Sequence, residues 1–285
     1  MKNINVFTPA NISETLELLK EDNTRILAGG TDIILKRDKL LRDELVLIDI
    51  SRMERLNFIK RDQGCIEIGT MATFSQLAEN ELINKYVPAL ALAGAQLGSV
   101  QIRNRATIGG NIANASPAAD ALPVLIAHRA RVKLVGSSGS MEYRAIEDVI
   151  KEIDGQTFII SITLPVAEPD IHFSYFNKIG SRKSVTIARI NLGSLIKYNP
   201  KNKQIKEARI VLGALGRAPF RANRAEEVIT ACKLTTAIEE RFLDKLTKTV
   251  DRAIPGRYSQ PYKRNAIRGL GDNLITAFKG GLNNE

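Results

Sequence analysis

The sequence is poor in the side chains that build disulfide frameworks and metal centres. Its 285 residues include two cysteines, Cys65 and Cys232, and two histidines, His128 and His172. The cysteines are far apart and form no Cys-x-x-Cys pair. A disulfide framework is therefore excluded, as is a self-contained thiolate metal or iron–sulfur site, which needs about four cysteines. We expect His128 to end a helix and His172 to lie on a strand, and we expect no metal site.

Long apolar runs, a signal sequence and tryptophan are also missing. No run approaches the roughly 20 apolar residues that cross a bilayer, and the N-terminus passes directly into mixed polar sequence without a signal peptide. The hydrophobic share of 44% and the charged share of 25% are those of an ordinary soluble globular protein. These features predict a cytoplasmic protein with no membrane partner.

Acidic residues are outnumbered by basic ones, which gives a formal net charge of +10. Such a balance permits nucleic-acid binding, but aromatic residues make up only 5% of the chain. The basic residues are also spread along the sequence, apart from a cluster at 252–268. We therefore predict no nucleic-acid partner and interpret the charge as a solvated face, or as one that docks on an acidic partner. A basic nucleotide- or RNA-binding protein without redox chemistry stays open as an alternative.

What the sequence does contain is two Gly-Gly pairs, each after a short apolar run and each followed by small polar side chains. The stretches are Leu27-Ala-Gly-Gly-Thr-Asp32 and Arg105-Ala-Thr-Ile-Gly-Gly-Asn-Ile-Ala-Asn-Ala-Ser-Pro-Ala-Ala-Asp120. Adjacent glycines can adopt backbone angles closed to other residues, and such a turn can present several N–H groups to one anion. The neighbouring hydroxyl, amide and carboxylate groups suit phosphate and sugar oxygens. The two stretches together predict a site for a ligand with two phosphates and polyol arms.

Each stretch also has an ordinary structural explanation. Gly-Gly is common in loops, and Asp32 can simply cap a helix over residues 33–36. Arg103 and Arg105 can brace their loop by bonding carbonyls rather than face phosphate. The spacing matches neither Gly-x-Gly-x-x-Gly nor Gly-x-x-x-x-Gly-Lys-Ser/Thr, so neither a Rossmann site nor a P-loop is supported.

Hydrophobic periodicity and turn signals predict an α+β protein in two parts. The first part mixes strands and helices: a helix that begins near Asn11, strands at 26–27, 45–49, 58–60, 65–69, 131–135 and 158–164, and helices at 73–81, 88–97 and 120–128. A polar loop at 98–105 leads to the second glycine pair.

Residues 165–169 are the most linker-like passage of the chain, so we place the domains at 1–167 and 168–285. The second domain is predicted to have a three-stranded sheet and a helical end. Its strands are expected at 172–178, 185–198 and 205–212, and its helices at 225–231, 235–253 and 262–279.

Four motifs, in this order, resemble the FAD-binding (medium) subunit of the molybdenum hydroxylases, the group of xanthine dehydrogenase and carbon monoxide dehydrogenase. They are Ala28-Gly-Gly-Thr-Asp32, Gln101-Ile-Arg-Asn-Arg-Ala-Thr-Ile-Gly-Gly-Asn-Ile112 with its continuation to Asp120, Phe176-Asn-Lys-Ile-Gly-Ser-Arg-Lys183, and Arg257-Tyr-Ser-Gln-Pro-Tyr-Lys-Arg264. The first motif is weak alone, whereas the second is highly specific.

The resemblance implies a FAD-binding domain of the vanillyl-alcohol-oxidase (PCMH) type, followed by a small domain like the C-terminal domain of carbon monoxide dehydrogenase flavoproteins. It implies an electron-transfer subunit that accepts electrons from iron–sulfur clusters and passes them to an acceptor such as NAD or oxygen. Molybdopterin and 2Fe-2S clusters are then expected only in partners, a large molybdopterin-binding subunit and a small 2Fe-2S subunit. A stand-alone flavin oxidoreductase on the same fold stays open as an alternative.

The resemblance also implies which residues bind FAD. Residues 26–32 and 107–111 are expected to wrap the pyrophosphate, Asp120 to bond a sugar or ribityl hydroxyl, and Ile160 to pack on the adenine or the ring system. Lys178 is expected near the flavin, where a cation suits the negative charge that reduction builds on the ring; without the resemblance it is interpreted as a solvated strand lysine. The full expected set is Ile26, Leu27, Ala28, Gly29, Gly30, Thr31, Asp32, Ile33, Thr107, Ile108, Gly109, Gly110, Asn111, Ser116, Asp120, Ile160 and Lys178.

No catalytic side chain is predicted, because electron transfer through a flavin demands no protein acid or base. No His or Cys stands where relatives with covalently linked flavin carry one. The expected FAD is therefore non-covalent.

Overall fold

The computed structural model describes residues 4–34, 45–136, 138–153, 157–182 and 185–283. Its strands are β1 (Ile4–Phe7), β2 (Thr24–Leu27), β3 (Leu45–Asp49), β4 (Ile59–Asp62), β5 (Cys65–Gly69), β6 (Arg131–Val135), β7 (Met141–Ala145), β8 (Phe158–Pro165), β9 (His172–Gly180), β10 (Ala188–Tyr198), β11 (Ile205–Gly213) and β12 (Phe220–Arg221). Its helices are α1 (Ile12–Leu18), α2 (Phe74–Glu79), α3 (Glu81–Tyr86), α4 (Pro88–Gln96), α5 (Val100–Arg103), α6 (Ile108–Asn114), α7 (Ala121–Ala127), α8 (Ile146–Glu152), α9 (Asn223–Ile229), α10 (Thr236–Ala253) and α11 (Gln260–Asn283).

The first sheet is parallel, and its strand β2 leads into the first glycine pair. Its order is β1-β3-β2, with β3 in the centre. Helix α1 lies between β1 and β2 in the chain and carries it from one edge of the parallel sheet to the other. The predicted start of α1 is confirmed, because the side chain of Asn11 accepts a hydrogen bond from the Glu14 amide at 3.0 Å. Strand β2 then ends one residue before the Ala-Gly-Gly-Thr-Asp turn.

The second sheet is antiparallel, in the order β4-β5-β8-β6-β7. The strands predicted at 58–60 and 65–69 are β4 and β5, which form a hairpin whose turn is shorter than the gap between the predicted strands. Asp62 pairs with Cys65, so Gln63 and Gly64 alone form the turn, with φ values of 44° and 77°. Two successive residues with positive φ match the twist of a tight hairpin. The polar residues Arg61 and Asp62, which lie between the two predicted strands, therefore extend β4.

Helices cover the second sheet and enclose the main core. Phe74, Leu90, Leu125 and Ile162 belong to one buried cluster that joins these helices to β8. The alanine-rich helix α4, predicted at 88–97, is present and largely buried. The stretch 98–105, predicted as a loop, instead contains the helical turn α5, because the hydroxyl of Ser99 accepts a hydrogen bond from the Ile102 amide and caps it. The polar composition of the stretch gave no sign of this helical turn.

The third sheet carries the second part of the chain. The three predicted strands are present in the antiparallel order β11-β10-β9, and β12 adds two residues at the far edge. Strand β9 lies at the other edge. Helices α10 and α11 pack on one face and build a core around Phe242, Leu246 and Phe278. The opposite face meets α4 and α7 of the first part.

Helix α7 links the two parts of the molecule. All seven of its residues are buried, and it contacts β10 and β11 as well as α4. Strand β8 ends at Pro165 and β9 begins at His172, on either side of the proposed domain boundary, which stays a prediction. None of the helices in the described ranges has both the length and the apolar character needed to cross a membrane.

Candidate functional site

The first glycine pair forms a turn that lies against the second motif. Gly30 has a φ of +76°, whereas Gly29 is not in the left-handed region. A Cβ on Gly29 would lie 1.8 Å from the carbonyl oxygen of Arg105, far inside van der Waals contact. Glycine is thus required at these adjacent positions for two reasons, a left-handed backbone at Gly30 and close backbone approach at Gly29.

The second glycine pair is not a turn of the kind predicted from the sequence. Gly109 and Gly110 lie in the first turn of α6, and neither has a positive φ. Glycine at 109 instead permits close packing, since a Cβ there would lie 1.7 Å from Oγ1 of Thr70. The expected left-handed backbone is therefore wrong for this pair, because Thr107 caps the segment into a helix through its hydroxyl, which accepts from the Gly110 amide at 3.1 Å.

The amides of the two motifs differ in whether they are free. In the second motif the amides of residues 108–111 all donate within the chain: Ile108 to Ala72, Gly109 to Thr70, Gly110 to the Thr107 hydroxyl and Asn111 to the Thr107 carbonyl. In the first motif, the amides of residues 29–32 donate no hydrogen bond to any described residue. The capacity to bind an anion through N–H groups therefore lies in the first turn, and the second motif supports it.

Further contacts hold the two motifs together. The side-chain amide of Asn114 donates to a carboxylate oxygen of Asp32 at 3.2 Å. The alternative role of Asp32 as a helix cap concerns residues 35 and 36, which lie outside the described residues. Arg103 braces its loop, as the ordinary explanation predicted, because its guanidinium donates to the carbonyls of Leu97 and Gly98 at 3.3 and 3.1 Å. The side chain of Arg105 is exposed, and its carbonyl is the group that meets Gly29.

Behind the second motif lies a buried ion pair between the two parts of the molecule. Nζ of Lys178, on β9, lies 2.5 Å from Oδ2 of Asp120, the residue before α7. The Lys178 side chain is 6% exposed, so its interpretation as a solvated strand lysine is wrong. Burial raises the pKa of Asp120, while Lys178 and a hydrogen bond from Asn191 act in the opposite direction. The two residues that the resemblance places at the flavin are therefore brought together.

Asn191 is a residue of this cluster that the sequence reasoning missed. It is fully buried on β10, and its Nδ2 donates to Oδ1 of Asp120 at 3.2 Å and to the Ala119 carbonyl at 3.3 Å. A Cβ on Gly213 would lie 2.1 Å from its Oδ1, so glycine at 213 makes the room. The available signal was an amide side chain within the apolar run Ile190-Asn-Leu192.

The remaining predicted residues lie around the same motifs. Ile160, in β8, is buried, and its carbonyl accepts from the Thr70 amide at 3.0 Å. The Thr70 carbonyl in turn accepts from the Gly109 amide. Ser116 is half-buried, and its hydroxyl accepts from the Ala118 amide at 3.3 Å. Ile26 and Ala28 pack on the cluster that contains Ile160. The other predicted positions of residues 26–33 are half-buried, apart from the exposed Asp32.

The motifs fit a dinucleotide in their donor and acceptor groups. The first turn offers unbonded amides, which suit the oxygens of a pyrophosphate. Oδ1 of Asn111 is buried and has no hydrogen-bond partner among the described residues. Such an orphaned acceptor is costly unless a ligand supplies a donor, and ribose and ribityl hydroxyls are donors.

None of the histidines or cysteines belongs to either glycine motif. His128 follows the last residue of α7 and His172 begins β9, so both predicted positions are confirmed. In the part of the chain that the structure describes, no three His, Cys, Asp or Glu side chains form a group that could hold a metal ion.

Comparison with known proteins agrees with this arrangement. The family model described as the FAD binding domain in molybdopterin dehydrogenase matches residues 2–167, and the model of the CO dehydrogenase flavoprotein C-terminal domain matches residues 175–277. The nicotinate dehydrogenase FAD-subunit of Eubacterium barkeri is 30% identical over 300 residues, which cover 99% of this chain and 100% of that protein. The glyceraldehyde dehydrogenase medium chain of Sulfolobus acidocaldarius is 28% identical and covers 94% of this chain and 95% of its own.

Solved structures show the same fold. A chain of carbon monoxide dehydrogenase from Hydrogenophaga pseudoflava superimposes with a TM-score of 0.88 at 21% identity and covers 98% of both chains. A chain of quinoline 2-oxidoreductase from Pseudomonas putida 86 gives a TM-score of 0.88 at 19% identity, again over 98% of each chain. The predicted order, a FAD-binding domain followed by a CO dehydrogenase flavoprotein C-terminal domain, is confirmed. The chain belongs to the FAD-binding medium subunits of the molybdenum hydroxylases, and it is an oxidoreductase subunit of the xanthine, carbon monoxide and nicotinate dehydrogenase type.

Proposed function

We propose that this protein accepts electrons from iron–sulfur clusters of a partner subunit and passes them to an external acceptor such as NAD or oxygen. When bound, FAD supplies the redox chemistry, which no amino-acid side chain provides. The large molybdopterin-binding subunit and the small 2Fe-2S subunit are the proposed partners, and the cytoplasm is the proposed location. A non-covalent FAD agrees with the positions of the histidines and cysteines outside the glycine motifs.

The observation that carries the proposal is the contact of the two motifs. The unbonded amides of residues 29–32 are held against the second motif by the Gly29–Arg105 contact and by the Asp32–Asn114 hydrogen bond. Because these groups are fixed before a ligand arrives, little ordering of the chain is needed for binding. The first turn is proposed to bind the pyrophosphate, and Thr107, Ile108, Gly109, Gly110 and Asn111 to form the opposite wall.

The other proposed contacts follow from position and polarity. Oδ1 of Asn111 is proposed to accept from a hydroxyl of the cofactor. The Asp120 carboxylate and the Lys178 ammonium are proposed to lie at the edge of the site, where Asp120 accepts from a hydroxyl and Lys178 holds a positive charge near the ring. Ser116 and Ile160 are proposed to contribute a hydroxyl and an apolar surface.

Cofactor titration tests the binding half of the proposal. We expect purified protein to be yellow, and protein stripped of cofactor to bind FAD much more tightly than FMN, because FMN lacks the pyrophosphate and adenosine that the glycine motifs are proposed to hold. Flavin fluorescence during titration measures both affinities. A colourless protein that cannot be reconstituted, yet binds RNA with a steep dependence on salt, would instead identify a nucleic-acid-binding protein.

Co-expression tests the electron-transfer half. The chain is expected to co-purify with two further chains, together with molybdenum and iron. Reduced protein mixed anaerobically with NAD, and separately with oxygen, identifies the acceptor from the rate of flavin reoxidation. Oxidation of a small molecule by the isolated yellow protein, without partners, would identify a stand-alone oxidoreductase and overturn this half of the proposal.

A further inference from the structure

The fourth sequence motif lies in a basic segment that the proposed FAD site leaves unused. Residues 252–268 hold five lysines and arginines and no aspartate or glutamate. Arg264 and Arg268 have acidic partners on α10. Arg257, in contrast, is exposed and forms no ion pair with any described residue. The segment therefore carries positive charge that the described part of the chain does not neutralise.

A distant part of the chain brings a further cation to the same place. Lys263, in the first turn of α11, is half-buried, and its Nζ donates to the Ala214 carbonyl at 2.5 Å. Burial lowers the pKa of Lys263, and the charges of Arg257 and Arg189 act in the same direction. Arg189, on β10, is exposed and also lacks an ion pair within the described ranges. Three cations thus lie near one another without a carboxylate partner among the described residues.

Aromatic and apolar side chains stand beside these cations. Tyr258 follows Arg257 and is fully exposed, and Tyr262 is 46% exposed. Ile187, two residues before Arg189, is 81% exposed. Arginine and tyrosine are enriched in protein interfaces, whereas side chains that stand out from the surface do not form the concave pocket of a small molecule. These features favour a protein as the occupant, and the positive charge favours an acidic one.

The turn that carries Arg257 and Tyr258 is already fixed. Gly256 has a φ of +68°, and its amide donates to Oε1 of Gln260 at 2.8 Å. Nε2 of Gln260 donates to Oδ1 of Asp251 at 2.9 Å, and its backbone amide donates to the Arg257 carbonyl at 2.8 Å. A partner that docks on this turn therefore needs to order little of the backbone.

This surface adjoins the proposed flavin site through two hydrogen bonds. The Ala214 amide donates to the carbonyl of Pro117, in the second glycine stretch, at 2.7 Å. The Lys178 ammonium, proposed to lie near the flavin ring, donates to the Thr186 carbonyl at 3.2 Å. Thr186 immediately precedes Ile187, and Ala214 is the residue that Lys263 contacts. A protein bound at this surface would thus lie beside the edge of the site from which electrons leave.

We propose that this surface docks a small acidic electron-carrier protein that takes electrons from the flavin. The basic surface, as we name it, consists of Ile187, Arg189, Arg257, Tyr258, Tyr262 and Lys263. Carboxylates of the carrier pair with the arginines, and its apolar groups pack on Tyr258 and Ile187. The inference rests on the proposed function and adds a protein to its acceptors. Oxidation of FADH⁻ to FAD releases two electrons and one proton, so it reduces two one-electron carriers.

Binding of a plant-type 2Fe-2S ferredoxin, an acidic one-electron carrier, tests the docking. Oxidised ferredoxin is titrated into the FAD-loaded full chain in a calorimeter. We expect saturable one-to-one binding that weakens at least tenfold when the ionic strength rises from about 0.02 M to about 0.2 M, because salt screens exposed charges. A basic cytochrome c, a carrier of opposite charge, is expected not to bind. Absence of ferredoxin binding, or equal binding of cytochrome c, overturns the proposal.

Matched variants separate a built surface from general attraction to a basic protein. Arg257→Gln is expected to weaken ferredoxin binding about tenfold, through the loss of one charge-assisted contact, and Tyr258→Ser to weaken it several-fold. Lys201→Gln removes the same charge beyond the far end of β10, about 33 Å from Arg189, and is expected to leave the affinity unchanged. All three side chains are exposed, so FAD content and unfolding midpoint should not change. Equal effects of Arg257→Gln and Lys201→Gln contradict the proposal.

Electron transfer through the docked complex is measured in reverse, because reduced ferredoxin is a strong reductant. Reduced ferredoxin is mixed anaerobically with the FAD-loaded chain, and loss of flavin absorbance gives the rate. At low ferredoxin concentration we expect this rate to fall about tenfold in Arg257→Gln and to stay unchanged in Lys201→Gln. Equal rates in the two variants would show that electrons enter elsewhere and overturn the proposal.

The same titration on the co-purified complex identifies a different occupant. Ferredoxin that binds the isolated chain but not the complex would show that a permanent subunit covers the basic surface, which overturns the proposal. A chain that holds FAD and is reduced by its iron–sulfur partner, yet ignores ferredoxin, refutes the docking surface alone. A chain that cannot bind FAD refutes the proposed function instead, so the two failures are distinguishable.

Discussion

Nζ of Lys178 and Oδ2 of Asp120 lie 2.5 Å apart, and the two side chains are only 6% and 7% exposed. The pair connects the third sheet to the start of α7, directly after the second glycine motif. The Thr186 carbonyl also accepts from Lys178, at 3.2 Å, and Asn191 donates to Asp120. The second part of the chain therefore holds the last residue of the second glycine stretch in place.

Removal of the carboxylate tests how much this pair contributes to stability. Asp120→Asn leaves the Lys178 ammonium buried without a counterion, so we expect a loss of about 3–5 kcal/mol in the free energy of unfolding. The double variant Asp120→Asn, Lys178→Met removes both charges and is expected to recover a large part of this loss. Urea unfolding measures both effects. Glu17→Gln, which breaks the exposed pair with Lys20, is the matched control and is expected to leave the midpoint of urea unfolding unchanged. An equal loss of stability in Asp120→Asn and Glu17→Gln would contradict the prediction.

Gly29→Ala tests the contact of the two glycine motifs. Its Cβ would lie 1.8 Å from a backbone oxygen of Arg105, and because backbone cannot rotate away, the two motifs must separate. We expect FAD affinity to fall at least tenfold, with a smaller change in unfolding midpoint, as measured by cofactor titration and thermal unfolding.

Gly269→Ala is the control for that substitution. Gly269 lies on α11, and a Cβ there has no neighbour within 4 Å. Alanine in a helix is favoured over glycine by up to about 1 kcal/mol, so this variant is expected to be slightly stabilised with unchanged FAD affinity. Normal FAD binding by Gly29→Ala would show that the contact of the motifs does not position the site.

His128 is expected to make the stability of the fold depend on pH. Burial lowers its pKa from 6.5 to about 3, so between these values the unfolded chain binds a proton at His128 that the folded chain does not. The free energy of unfolding therefore falls as the pH is lowered through 6.5, with a slope that approaches about 1.4 kcal/mol per pH unit.

Urea unfolding between pH 6.5 and 5 measures this slope, in a window where most carboxylates have not yet titrated. His128→Gln removes the titration but keeps an amide within reach of Ser174, and its slope is expected to be shallower. His172→Gln serves as the comparison. His172 is half-buried, and burial, the leading influence, lowers its pKa, although hydrogen bonding at Glu168 acts against it. Identical slopes for His128→Gln and the unsubstituted protein would be inconsistent with a buried neutral imidazole.

Elements with local signals were predicted well from the sequence. Asn11 with Glu14 marks the start of α1, the apolar run before His128 gives α7, and alternation gives β9. Strands β7 and β12 were missed because β7 has largely exposed side chains, with no buried face to set a period, and β12 has only two residues. Helix α3 was missed because Asn80 ends one helix and caps the next.

The site was predicted only in part, because its decisive contacts are between distant residues. Both glycine motifs are visible in the sequence, but the reasons for their glycines are not. Gly29 is set by the Arg105 carbonyl and Gly109 by Thr70, neither of which is adjacent in the chain. The partner of Lys178 is 58 residues away. Local pattern indicates which side chains are unusual, whereas only the fold shows what they touch.

The burial of α7 has a consequence for how the molecule opens. All of its residues are buried; it contacts β10 and β11 of the third sheet, and Leu122, Val124 and Leu125 belong to the core cluster that includes Ile162 of β8, so neither the second nor the third sheet can detach without exposing it. The amides of residues 125–128 are then expected to exchange with deuterium only through global unfolding. Proteolytic cleavage between β8 and β9 should accordingly release no independently folded fragment, and the chain should denature as one cooperative unit.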